Sequence, residues 1–175
     1  MAPHDTVQDE MAAFLEGAVM MVIASRDDAF RPAIARAQGA RLHEGGRLVE
    51  VLVSRSQWPE AVGNLGPGRP VALTVCRPTD YRAYQVKGTV EAVAEADAAG
   101  RARAAAYRRE AGAVLVGLGV EPHQIGHWLR DGDIVSIRFR PRESYAQTPG
   151  PGAGGRLAEG AGAPSEPLQA GPAAG

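Results

Sequence analysis

The sequence predicts a mainly β protein, six antiparallel strands closed as a small barrel, with short helices and a disordered C-terminal tail. Three observations carry this reading. Apolar runs of strand length recur along the chain, several of them β-branched. Most follow one another across short turns, which imposes antiparallel pairing, because a parallel neighbour needs a long crossover. Finally, 175 residues with 45% hydrophobic and 22% charged content suit one ordinary core and not two. Closing such strands on themselves also removes exposed edges.

Residues 5–15 are expected to form a short helix, capped by Asp5 or Thr6, with Met11, Phe14 and Leu15 on one side. Residues 19–25 (VMMVIAS) have the length and composition of a buried strand. A polar turn over 26–32 leads to a second strand, 33–42, interrupted by Gly39. His43, Glu44, Gly45 and Gly46 make a hairpin turn. The third strand, 47–53, runs through Ser54, Arg55, Ser56 and Gln57 into a short helix that Gly66, Pro67, Gly68 and Pro70 end. A fourth strand covers 71–76, and a fifth covers 81–94 with a bend or bulge at Gly88. Residues 97–112, rich in Ala, Arg and Glu, are expected to be helical with Asp97 near the cap. A second helix, 122–129, starts on Pro122, and a last strand covers 134–140. The domain is therefore expected to span 1–148. From 149 to 175, 20 of 27 residues are Pro, Gly or Ala, too little apolar surface to offset the entropy of ordering them.

Composition narrows the function classes. With 19 basic and 20 acidic residues the formal net charge is -1, which argues against binding nucleic acid through bulk phosphate neutralisation. The single cysteine, Cys76, can make neither an internal disulfide nor a thiolate zinc site, and it reads as a small core residue. The acidic, polar N-terminus is unlike a signal peptide, and the apolar run 18–24 is too short to span a bilayer, so a cytoplasmic protein is expected.

Candidate chemistry is sparse. Ser54 and Ser56 lack the GxSxG context of a hydrolase nucleophile. His123 and His127 share a helical face, but Gln124 stands where HExxH needs its glutamate, so no metal site is expected; His4 and His43 lie elsewhere. The stretch 112–119 (GAVLVGLG) lacks the preceding strand of a dinucleotide fold.

The 54–57 turn admits two readings. Ser56 caps the following helix and Arg55 is solvated, or the free N–H groups, hydroxyls and guanidinium receive an anion, above all a phosphate. On the fifth strand, Gln85, Lys87 and Thr89 alternate away from Tyr84, Val86 and Val90, forming either a solvent-facing surface or a polar wall for a ligand. Arg36 and Arg41 differ in parity. A β-bulge at Gly39 resets the phase and lets both face the same way.

Taken together, RPAIARAQGARL, VEVLVSRSQ followed by a helix, GRPVAL, DYRAYQVKG and QTPGPGAG resemble the pyridoxamine-5'-phosphate-oxidase-like split-barrel flavoproteins over roughly residues 11–145. The resemblance implies a split barrel, a homodimer with FMN at the subunit interface, and flavin-dependent oxidoreduction of a small molecule. It makes Arg36, Arg41, Ser54, Arg55, Ser56 and Gln57 candidates for the phosphate and ribityl chain, with Gln85 and Lys87 second, reaching across the dimer. Guanidinium groups suit phosphate because they present paired donors in one plane. A flavin- or haem-binding carrier or sensor and a deazaflavin-dependent reductase are the alternatives. Tyr81, Tyr84 and Trp58 are candidates either for the substrate side or for core and interface. Three departures separate the chain from the oxidase itself. Gln57, Trp58 and Pro59 stand in place of the usual lysine, Gln85 is out of register, and a Gly/Pro tail replaces the arginine-containing terminal motif.

Overall fold

In a computed structural model, described for residues 9–157, the strands close into an antiparallel barrel in the order β1-β2-β3-β6-β5-β4. The strands are β1 (Met20–Arg26), β2 (Pro32–His43), β3 (Leu48–Ser54), β4 (Pro70–Cys76), β5 (Ala83–Glu95) and β6 (Ile134–Ala146). Among the described residues four α-helices accompany them, α1 (Asp9–Leu15), α2 (Pro59–Gly63), α3 (Ala98–Gly117) and α4 (Pro122–Trp128), with a 3-10 turn at Glu44–Gly46. The expected caps Asp5 and Thr6, and His4, lie outside the described residues.

Alternation fills the barrel. Val49, Val51 and Val53 on β3, Val135, Ile137 and Phe139 on β6, and Ala35, Ala37 and Ala40 on β2 are all buried in one core with Leu73, Val75 and Val86. Phe14 of α1 meets Tyr84 edge-on at 5.1 Å between ring centres. Tyr84 is therefore core. On α3, the Tyr107 hydroxyl donates to the Val19 carbonyl at 2.6 Å, tying the helix to the chain entering β1.

The bulge in β2 is where the two arginines required it. Ala37 pairs with Val53 and Ala40 with Val51, so Gln38 and Gly39 together oppose Leu52. Gly39 sits at φ +117°, and a Cβ there would stand 3.3 Å from Tyr107 Cβ, so both backbone and α3 require glycine. Because the inward alanines change from odd to even numbers across it, Arg36 and Arg41 both project from the outer face. The irregularity in β5 is equally specific. A Cβ on Gly88 would lie 2.1 Å from the Arg140 carbonyl oxygen and 2.7 Å from Phe139 Cδ2. Pro141 faces Gly88 at that register shift, which is where a strand tolerates proline.

Three expectations need adjustment. The first helix after β5 is capped as predicted, Asp97 accepting the Gly100 N–H at 2.6 Å, but runs to Gly117, because Ala111 and Leu115 continue its buried stripe. β6 continues past 140 to Ala146 along the far half of β5. Residues 149–157, assigned to a disordered tail, instead fold back on β6. There Ala146 N–H donates to Gly155 O at 3.0 Å and Leu157 N–H to Ser144 O at 2.8 Å, while Thr148 Oγ accepts Ala83 N–H at 3.1 Å. Backbone bonds order this segment together with Leu157, which packs against the core, and Arg156, which pairs with Glu143 at 3.3 Å. Residues 158–175 lie outside the described residues.

Candidate functional site

Ser54 ends β3, and the chain then turns with its backbone donors aimed back at it. Gln57 N–H donates to Ser54 Oγ at 3.3 Å and Trp58 N–H to Ser54 O at 3.2 Å. α2 starts only at Pro59, with Trp58 in the cap position and no side-chain cap. Ser56 is thus not the helix cap, which corrects that part of the first reading, whereas Arg55 is exposed as that reading has it. Its hydroxyl donates instead to Asp133 Oδ1 at 2.6 Å, its N–H donates to the same oxygen at 3.0 Å, and Ser54 Oγ stands 3.4 Å away. The Ser56 hydroxyl, and after it the Ser56 N–H, hold the Asp133 carboxyl below the usual carboxylate range. A carboxylate is seated on the very groups that sequence reading offered to an anion.

The rest of the turn is spent on fixing the segment that carries Asp133. Gln57 Nε2 donates to His127 O at 2.7 Å, and its Oε1 accepts Arg130 N–H at 3.4 Å. From the bulge, fully buried Gln38 donates to Arg130 O at 2.8 Å and accepts from Arg108 of α3 at 2.9 Å. The Arg130 residue is therefore held at both its N–H and its C=O by glutamine side chains. Arg55 points away, onto Glu95 at 2.7 Å, with both side chains well exposed.

Arg36 reaches this corner from β2. The Ala37–Val53 pair sets it at the same end of the ladder as Ser54, and its guanidinium lies 5.3 Å from the Trp128 ring centre. Among the described residues it has no carboxylate or hydrogen-bond partner. Trp58 Nε1, one residue past the turn, is likewise a buried donor without a partner among the described residues. Arg36, without an ionic partner, and the hydroxyl and N–H donors of the turn, which here serve Asp133, are the kinds of group that the phosphate end of a cofactor uses. The residues fit such a group.

Arg41, the other arginine of the pair, is committed. Its Nε donates to Glu50 at 2.6 Å and its Nη2 lies 3.1 Å from Asp97. Glu50 is fully buried on the outer side of β3. Besides Arg41, His43 Nε2 is at 2.8 Å, Ser136 Oγ donates at 2.5 Å, and Arg138 Nη2 stands 3.7 Å away. Burial alone would raise its pKa, but the bonds from Arg41, Ser136 and His43 outweigh it and hold the carboxyl at about 2. Sequence reading missed this hub. Its one signal was a glutamate in the apolar string RLVEVLV, with Arg41 and His43 two residues apart on the preceding strand.

Gln85 and Lys87 are not brought to the corner within one chain. They lie on β5, three strands from β2 in either direction round the barrel. Gln85 Nε2 donates to Thr74 at 2.9 Å, and Lys87 Nζ sits 4.6 Å from the Tyr145 ring centre. Tyr81 and both α4 histidines are exposed, while Cys76 is half-buried, its thiol pKa raised by that burial. Among the described residues, no helix is long and apolar enough to cross a membrane.

The described residues form a closed six-stranded antiparallel barrel with short helices around it. More specifically, the chain has the split-barrel fold of the pyridoxamine-5'-phosphate-oxidase-like proteins. It is similar to the crystal structure of a "putative pyridoxamine 5'-phosphate oxidase" from Lactobacillus delbrueckii, with 17% identity, a TM-score of 0.51, and coverage of 82% of this chain and 97% of that one. An F420 reductase aligns with a TM-score of 0.45 at 18% identity, over 79% of this chain and 98% of that one. The haem storage protein HutZ of Vibrio cholerae aligns with a TM-score of 0.44 at 13% identity, over 81% and 94%. At these identities the likeness is one of fold. No family model matches the sequence, and no curated relative does.

Proposed function

We propose that the protein binds FMN and acts as a cytoplasmic, homodimeric oxidoreductase on a small molecule. The observation that carries this is Arg36, a guanidinium without an ionic partner among the described residues, set by the Ala37–Val53 pair on the strand opposite Ser54 of a split barrel. In this reading Arg36 supplies planar paired donors to the phosphate, and Ser54 and Ser56 supply hydroxyl and N–H donors from the opposite strand. Trp58 offers its free indole N–H toward the ribityl chain. Arg41, held by Glu50 and Asp97, keeps the strand beneath the cofactor in place and does not itself reach the phosphate. Gln85 and Lys87 contribute only from the second subunit, which is what a dimer with interfacial cofactors requires.

When bound, the flavin supplies hydride or electron transfer, and the protein supplies binding, orientation and electrostatics. The likeness to the Lactobacillus protein supports the barrel as a flavin-type scaffold.

The test is the absorption spectrum of the purified, untagged protein, before and after incubation with FMN and desalting. Bound flavin, released on denaturation and identified as FMN, is the expected result. A colourless protein that retains no added FMN overturns the reading. A sedimentation experiment at micromolar concentration tests the dimer separately, and a monomer would remove it.

A further inference from the structure

The seat that the proposed function assigns to phosphate is held by one of the chain's own carboxylates. Asp133 accepts from Ser56 N–H at 3.0 Å and Ser56 Oγ at 2.6 Å, with Ser54 Oγ 3.4 Å away. Its placement is built into the fold. Two residues earlier, Asp131 pairs with Arg108 of α3 at 2.8 Å, and Arg130 is gripped by Gln38 and Gln57 from two different elements. Asp133's own carbonyl accepts the Arg55 N–H at 3.0 Å, so its backbone stays on the turn whatever its side chain does. Yet the carboxylate does not use every group at this end of the ladder, because Arg36, next to the Ala37–Val53 pair, has the Trp128 ring as a contact but no ionic or hydrogen-bond partner among the described residues. An occupant that used only the hydroxyl and amide donors leaves the cation unspent. A tetrahedral dianion offers oxygens in more directions than a carboxylate and has enough to use both.

We infer that Asp133 is an internal competitor, a tethered anion that occupies the 54–57 turn until a phosphate group displaces it. Two anions cannot share the same donors at hydrogen-bond distance without strong repulsion, so binding requires the Asp133 side chain to rotate away. The competition sets a threshold: the turn takes a phosphate that also engages Arg36 and rejects carboxylates, which gain nothing over Asp133. This inference rests on the corner being a phosphate seat, and it concerns phosphate itself, whether or not the phosphate belongs to a flavin.

The experiment titrates inorganic phosphate, and separately FMN, into the full-length protein and into Asp133→Asn, Asp133→Ala and Asp131→Asn, following the backbone amide signals of Arg55 and Ser56. Asp133→Asn keeps an oxygen acceptor for Ser56 and so guards the fold, and thermal melts check each variant. Both Asp133 variants are expected to bind phosphate roughly ten-fold more tightly, the scale of one competing charge-assisted contact. Asp131→Asn, which frees the segment from Arg108 but leaves the Asp133 carboxylate in place, is expected to gain less than either Asp133 variant. Equal or weaker phosphate binding in the Asp133 variants, or none in any protein, overturns the inference. Tighter phosphate binding with no FMN uptake in any protein leaves the competition standing and removes the flavin. FMN bound alike by all four, with phosphate unchanged, does the reverse.

Discussion

Arg36 and Arg41 lie five residues apart on one strand, on the same outer face, with opposite fates. Arg41 joins a hub in which a fully buried carboxylate meets two arginines, a histidine and a serine. Arg36 stacks near a tryptophan and has no ionic partner among the described residues. The difference teaches how to separate structural polarity from binding polarity. A buried charge must be saturated by its own chain, because an unpaired one is costly to keep out of water. A charge left unspent beside a pair of hydroxyls is tolerated only where water reaches it or where a ligand will complete it.

The strongest way to break that comparison is at Glu50. Replacing it with alanine leaves Arg41, His43 and Arg138 facing one another over an emptied site, and the expected loss of unfolding free energy is about 3–5 kcal/mol. Urea denaturation measures it. The hub reading also requires that FMN affinity, measured on the folded fraction, be unaffected. A fall in affinity without a fall in stability would place Glu50 in the binding machinery.

Acid sharpens the same point. Glu50 has a folded-state pKa of about 2 against an ordinary value of 4.5, so its contribution is fully present above about pH 4.5 and is lost as pH falls toward 2. The magnitude is about 3 kcal/mol at most, since a tenfold change in acidity corresponds to about 1.4 kcal/mol. Stability measured from pH 5 to pH 2 should fall steeply in the wild type and less in Glu50→Gln, which has no carboxyl to protonate. Parallel curves for the two proteins would mean that acid sensitivity resides elsewhere.

At the corner the expected pattern inverts. Arg36→Ala and Ser56→Ala should each weaken FMN binding by about 1–3 kcal/mol, as for lost charge-assisted contacts. Stability should change by under about 1 kcal/mol for Arg36→Ala, since a cation–π contact with a half-buried tryptophan is the main contact the chain loses. Arg41→Ala should show the converse, a stability loss exceeding its effect on binding. Flavin fluorescence quenching and thermal melts on the same samples separate the two.

How far the two regions were legible follows from how local their signals are. The bulge was readable because parity is a property of one strand: a glycine set between two arginines of opposite parity points to one extra residue in the ladder. The Asp97 cap, the Pro122 helix start and the glycine at the β5 bend were readable for the same reason. The Glu50 hub was not, because its partners come from β2 and β6, and only the closed barrel places Arg138 and Ser136 beside β3. Asp133 was still further from reach, since its hold on Ser56 spans 77 residues and depends on where α3 and α4 deliver the following loop. Composition misled at 149–157, where glycine and proline suggested disorder but backbone hydrogen bonds to β6 help supply the order.

Arg55 offers the smallest expected effect and the finest distinction. Sequence reading set it beside Ser56 as a phosphate ligand, yet its guanidinium lies on Glu95 at 2.7 Å, with side-chain exposures of 47% and 66%. An ion pair so open to water contributes roughly 0–1 kcal/mol, so Arg55→Ala should leave the melting temperature almost unchanged. Its effect on ligand affinity is the informative quantity. If Arg36 alone neutralises the phosphate, the affinity for FMN or inorganic phosphate in Arg55→Ala should stay within about two-fold of wild type, less than one hydrogen bond is worth. A ten-fold loss would mean that Arg55 leaves Glu95 when the anion arrives. Glu95→Gln would then tighten binding, because it frees the same guanidinium without removing it.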